Sequence, residues 1–179
     1  VDDERGACRG GRRLVDRVLE CYLVLLLASK SGDSMGGPKA QARSRRDFLN
    51  RGYYAPWRDT MVELVRKQVS GRAASTSGPM TLLDICCGEG YYTTALFQAL
   101  AREGRAPSAA GVDISKFALR RSARRPKMGE FAVVPVHLLP LAPRPFDLLT
   151  IVSSPLCPLE FPRVPRPPGL FSFLCLFTR

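Results

Sequence analysis

Histidine occurs once in this sequence, at His137, and tryptophan once, at Trp57. A lone imidazole has no companions with which to hold a metal, and no two of the six cysteines stand in a CxxC spacing, so no zinc site is recognisable. The cysteines follow no regular pattern, two of them (Cys86 and Cys87) are adjacent, and no glycosylation motif is present. That argues against a secreted disulfide framework and for reduced thiols in the cytoplasm, with an organelle as the other compartment of that kind. Long apolar runs are missing too. The run Cys21–Ala28 has eight residues, whereas crossing a bilayer takes ~20, and with Glu20 against it and no clean cleavage pattern behind it, it makes a poor signal segment. Acidic residues are scarce: 16 against 27 basic, a net charge of +11.

The basic excess is concentrated. Residues 39–72 hold nine basic and three acidic side chains, and residues 102–127 hold eight and two. A solvated basic face is the plain account of such segments. Attraction to a polyanion, RNA above all, is the sharper one, because clustered cations displace counterions from a phosphate backbone.

The chain of 179 residues has the length of one full domain with a core of its own. After a mixed first part, "KAQARSRRDFLN" has helical character and stops before Gly52, a natural C-cap. A second helix is expected in "YYAPWRDTMVELVRKQV", with Pro56 in its first turn and an apolar stripe of Trp57, Met61, Leu64 and Val65. "SGRAASTSGP" reads as a linker. Then a regular alternation begins: strand "MTLLDIC", helix "YYTTALFQALARE", strand "SAAGVDI" and helix "SKFALRRSARR" with Ser115 as N-cap. Strands "EFAVVPV", "FDLLTIVSS" and "GLFSFLCLF" follow. Strand–helix alternation at this spacing predicts an α/β fold, a parallel sheet with flanking helices joined by right-handed crossovers.

Parallel sheets of this kind bind ligands where strand order reverses, beyond the carboxyl ends of the strands. Asp84 ends the first strand of the alternation, Gly88 and Gly90 follow in the loop, and Asp113 ends the next strand. A dinucleotide loop needs G-x-G-x-x-G, and the third position here is Thr93. It also has no use for an acid ahead of an anionic pyrophosphate. A cofactor with a sulfonium and an ammonium group gives Asp84 a purpose, and a carboxylate at Asp113 can accept both hydroxyls of a ribose.

"LLDICCGEGYY" resembles motif I of the class I S-adenosylmethionine (SAM)-dependent methyltransferases, with Cys86 where that motif has its first glycine, and "GVDIS" resembles motif II. A narrower likeness runs through "GDSMGGPKAQARSRRDFLNRGYYAPWRD", "LLDICCGEGYYT", "GVDISKFALRRSARR" and "HLLPL" in that order. Together they resemble the large-subunit (23S-type) ribosomal RNA guanine-N1 methyltransferases. The resemblance implies a Rossmann-like fold, SAM as cofactor, ribosomal RNA as partner, and a cofactor site made of Asp84, Cys86, Gly88, Glu89, Gly90, Tyr91 and Tyr92 with Asp113 on the ribose. It places Ile114 on one adenine face and Val136 and His137 along the adenine pocket, and has Tyr54 and Arg58 close over the cofactor or present the base. The Tyr91–Tyr92 pair can stack on a base or simply pack on the strand before it. A catalytic base is not singled out.

The chain also departs from that family. Its N-terminal zinc module is reduced to Cys8, with Arg13 near the histidine position, so residues 1–38 are expected to be a remnant of that module plus linker, and 39–179 the cofactor-binding domain. Pro162 and Pro165 fall inside an expected helix, which should be broken or short, since an interior proline costs ~3 kcal/mol. The chain stops at the strand "GLFSFLCLF", so two final strands of the family's sheet are expected to be missing. Other readings are a non-catalytic SAM- or RNA-binding remnant and a small-molecule methyltransferase, the latter disfavoured by the basic segments.

Overall fold

The computed structural model describes residues 16–18, 22–24, 37–70, 79–124, 128–137, 139, 141, 146–154, 157 and 161–174. Cys8, Arg13 and the linker after Ser70 lie outside the described residues. In chain order the elements are β1 (Asp16–Val18), β2 (Tyr22–Val24), α1 (Lys39–Asn50), α2 (Ala55–Ser70), β3 (Met80–Ile85) and α3 (Tyr91–Arg102). Then come β4 (Pro107–Asp113), α4 (Lys116–Ser122), β5 (Gly129–Val133), β6 (Phe146–Val152), a 3-10 turn (Phe161–Arg163) and β7 (Pro165–Leu174).

The sheet runs β1-β2-β5-β4-β3-β6-β7, every pairing parallel except β1 with β2. Order therefore reverses between β3 and β6. Successive β3 side chains face opposite ways, as in any strand. Leu82 joins Met61, Val65, Val69, Leu96 and Leu100 on the face covered by α2 and α3. Leu83 and Ile85 join Leu149, Ile151, Phe161 and Val164 on the other. Phe97 of α3 also touches the Leu119–Phe131–Val133 cluster under α4, which puts α4 on the α3 side. Gly111 in β4 permits that packing, because a Cβ there would come 2.6 Å from the Phe131 ring and 2.8 Å from the Cys87 sulfur.

Most elements match the sequence expectation to within a residue or two. The expected break around Pro162 is found: one 3-10 turn stands there and a strand begins at Pro165. Two of the four stripe residues expected in α2 do not face the core. Its buried line is Met61, Val65 and Val69, whereas Trp57 and Leu64 are 52% and 58% exposed. Residues 61, 65 and 69 lie four apart and meet α3 along one narrow line; Leu64 lies off that line, and Trp57 continues it into the first turn of α2, where it is exposed.

Candidate functional site

The reversal between β3 and β6 opens a cleft at the carboxyl ends of both strands. Its wall is the loop after β3. Gly88 takes φ 56 and Gly90, the N-cap of α3, takes φ 74, left-handed values that glycine adopts without steric cost. The loop is braced from several sides. Gly88 donates its N–H to Asp113 Oδ2 at 2.8 Å, Ser122 donates its hydroxyl to the Gly88 carbonyl at 2.8 Å, and the Cys87 N–H reaches the Val112 carbonyl at 3.1 Å. Each of those partners comes from β4 or α4, so the unit that follows the loop also shapes it.

Cys86 is the exception in this loop. It has φ 59, one of two non-glycine residues with positive φ among the described residues; the other is Ser153 (φ 54), just past β6. The Cys86 sulfur lies 2.9 Å from Ser154 Oγ, so the two strand ends are bridged across the cleft. Burial pushes the thiols of Cys86 and Cys87 up, Cys87 the more strongly. Burial thus favours the neutral thiol at both positions.

Asp84 is buried at the base of the cleft. The hydroxyls of Thr93 and Thr150 both donate to it, Thr150 at 3.1 Å, and no cation is in contact with it among the described residues. Burial raises its pKa to about 7 against those two hydrogen bonds, and the Asp113 charge adds to the rise. Asp113 is raised as well, again chiefly by burial, while the N–H groups of Ser115 (2.7 Å) and Gly88 hold it down. Two buried carboxyls with raised pKa values, Asp84 the one with a value near neutrality, form a site prepared for a cation.

The cleft is lined by Asp84, Cys86, Cys87, Gly88, Glu89, Tyr91 and Tyr92, by Ala118 and Val152, and by Ala42, Arg45 and Leu49 of α1. Six of the expected cofactor residues thus meet in one place. Gly90 sits at the start of α3, and Asp113 adjoins through Gly88. Ile114, Val136 and His137 are not part of the lining. His137 is exposed in the turn after β5, and Val136 packs against the core on the other face of the sheet. Arg58 stacks over the Tyr91 ring at 5.2 Å and donates to its hydroxyl at 3.3 Å, which ties α2 to the loop. Tyr54 touches Phe48 instead, edge to face at 5.3 Å. Tyr91 and Tyr92 are perpendicular, 5.1 Å apart, and Tyr92 belongs to the core cluster, so packing is what that residue does.

The residues missed from sequence are those of α1. Their signal was there: 42, 45 and 49 are spaced three and four apart, one face of a helix. With α1 in place the cleft encloses about 40 Å³, far below the ~300–1,000 Å³ of a small-molecule site. Of the twelve α1 residues only Leu49 is buried, so the helix is a lightly held cover. The chemistry of the site, a buried acid short of a cation and an open left-handed loop where a Cβ on Gly88 would meet nothing within 4 Å, fits a cationic nucleoside cofactor. Its volume as it stands is too small for one, and both α1 and the Cys86 side chain narrow it.

Comparison with known proteins bears on the family and the fold. A family described as "Methyltransferase domain" matches residues 76–173. A Bacillus subtilis (strain 168) protein, provisionally named a 23S rRNA (guanine-N(1)-)-methyltransferase (YxjB), is 31% identical over 137 residues, 76% of this chain and 46% of the relative. The chain thus spans less than half the length of that relative. Among solved structures, a provisionally named S-adenosyl-L-methionine-dependent methyltransferase from Methanococcus maripaludis superposes with a TM-score of 0.54 at 17% identity, over 82% of this chain and 67% of its own. The CMeT domain of the citrinin polyketide synthase gives 0.53 at 20% identity, over 64% and 33%. Both show the same fold.

Proposed function

We infer the reaction from one premise: this chain belongs to the methyltransferase-domain family, and SAM is its methyl donor. The acceptor is a ring nitrogen of guanine in large-subunit ribosomal RNA. The observation that carries this reading is the likeness to the Bacillus subtilis protein over three quarters of the chain, and the two basic segments support it. When bound, SAM supplies an activated methyl group on a sulfonium, so the protein's work is to bind, orient and exclude water.

Each part of the site has a share in that work. Asp84 takes the cationic amino-acid end of the cofactor. Asp113 takes the ribose and at the same time fixes the loop through Gly88, so Asp113→Ala removes two functions at once and does not isolate the ribose contact. Ile114, Val136 and His137 reach the adenine only after rearrangement. Arg58, held on Tyr91, stands where α2 meets the cleft and can orient the incoming base. The cover formed by α1 shields the reacting centre from water. In amide hydrogen exchange, SAM should protect residues 86–90 and change the rate over Lys39–Asn50; an unchanged α1 would mean that the cofactor enters by another route.

Incubating the chain with SAM and ribosomal RNA should create N1-methylguanine, detected as a stop in reverse transcription because the methyl group blocks base pairing. RNA affinity should fall with log[salt] by ~0.7 per phosphate contact if single strands are bound. A flat salt profile would leave the basic segments a solubilising role only. The closed cleft and the left-handed Cys86 favour a second reading, a chain that binds SAM or RNA without turnover, for which binding is found and the stop is not.

A further inference from the structure

We propose that the corner between α1 and α2 is a stacking surface for unpaired nucleobases of single-stranded RNA, and that it holds the nucleotides flanking the acceptor. The proposal rests on the RNA reading above. Three rings stand in solvent at this corner: Phe48 is 43% exposed, Tyr53 60% and Trp57 52%. Phe48 and Tyr53 are already paired, with centroids 5.0 Å apart, and Tyr54 meets Phe48 edge-on at 5.3 Å. Trp57 follows in the first turn of α2, four residues beyond Tyr53. The core does not require these rings, since α2 packs through Met61, Val65 and Val69.

Charge identifies the partner. Between Lys39 and Asp59 stand six basic residues and two acidic ones. Asp47 and Asp59 are each engaged by the neighbouring arginine, Arg46 and Arg58. Arg43 and Arg51 are exposed and make no ion pair among the described residues. Aromatic faces interleaved with unpaired guanidinium groups suit a strand that alternates bases and phosphates, and such stacking is sequence-tolerant because every base has a π-face. Position supports the same partner. Phe48 adjoins Leu49, which lines the cleft, and Arg58 reaches from the corner to Tyr91 in the cleft wall. A strand lying on the corner therefore leads into the site.

Trp57 is the only tryptophan of the chain, so its emission reports this surface directly. Titrating the full chain with single-stranded oligoadenylate should quench that emission, whereas heparin, a polyanion without bases, should bind without quenching. Stacking on one residue is worth roughly five- to a hundred-fold in affinity. Tyr53→Ala and Trp57→Ala should each weaken labelled oligoadenylate by at least about fivefold and leave heparin unchanged, whereas Tyr53→Phe and Trp57→Phe, which keep a ring, should retain the affinity. Absence of quenching, equal losses for both polyanions, or no oligoadenylate binding would overturn the surface, as would alanine variants that bind like the unaltered chain. Methylation of ribosomal RNA separates this proposal from the one it rests on. If N1-methylguanine forms and quenching is absent, the corner fails and the acceptor reading stands. Quenching with ring-dependent binding but no methylated guanine leaves the corner standing and removes the acceptor assignment.

Discussion

Asp84→Asn should abolish measurable SAM binding and at the same time make the apo protein more stable above pH 7. Both effects come from one fact: the carboxyl is buried and its pKa is raised from 3.8 to about 7, with desolvation as the main cause. In the unfolded chain the group is ionised above about pH 4. In the folded chain it keeps its proton until about pH 7, so between those limits the native state binds more protons than the unfolded one. Stability therefore falls as pH rises through that window and levels off beyond it. A shift of roughly three pK steps corresponds to about 4 kcal/mol as an upper figure. Asparagine has the same shape: its amide oxygen keeps one of the two hydroxyl donors, Thr93 or Thr150, and the other hydroxyl turns to accept from its NH2 group. Urea unfolding at pH 5 and pH 8 should show the wild type weaker at pH 8 and the variant nearly level. SAM affinity of the wild type should climb several-fold from pH 6 to 7.5, because binding a cation requires the proton to leave. A variant that binds SAM as well as the wild type would remove Asp84 from the cofactor site.

The fold was legible wherever its signal is local. The apolar run that ends at Asp84 and the Gly88-x-Gly90 spacing locate β3 and α3, and Ser115 does cap α4 through its hydroxyl, 3.4 Å from the Ala118 N–H. Proline chemistry is equally local, which is why the break near Pro162 could be read. What long-range packing decides was not legible. The apolar residues of α2 are spread over too wide an arc for sequence to choose the buried line, and α3 makes that choice. The same limit applies to α1, whose residues at 42, 45 and 49 cover a loop some forty positions further on. Nor could the residue types reveal the state of Asp84. An acid before a glycine loop suggests a cation partner, but only the structure shows that its neighbours are hydroxyls, which leave its charge uncompensated.

Cys86→Gly should tighten SAM binding by about tenfold or more, which corresponds to ~1.4 kcal/mol or above. The backbone at this position has φ 59, where a side chain costs roughly 1–2 kcal/mol and glycine costs nothing. Global stability should nevertheless move by no more than about 1 kcal/mol, because glycine also gains freedom in the unfolded chain and gives back part of the relief. The affinity gain has a different origin. The cysteine side chain lines a cleft of about 40 Å³ and its sulfur touches Ser154 across the gap between β3 and β6. Removing it widens the cleft at the point where the loop faces the cofactor. Cys86→Ala separates the two causes, since alanine keeps the Cβ at positive φ and loses the sulfur. If alanine recovers as much affinity as glycine, the sulfur and its Ser154 contact are the obstruction. If only glycine recovers it, the Cβ is. Calorimetric titrations that give one affinity for cysteine, alanine and glycine would clear residue 86 altogether, and the width of the cleft would then be set by α1 alone.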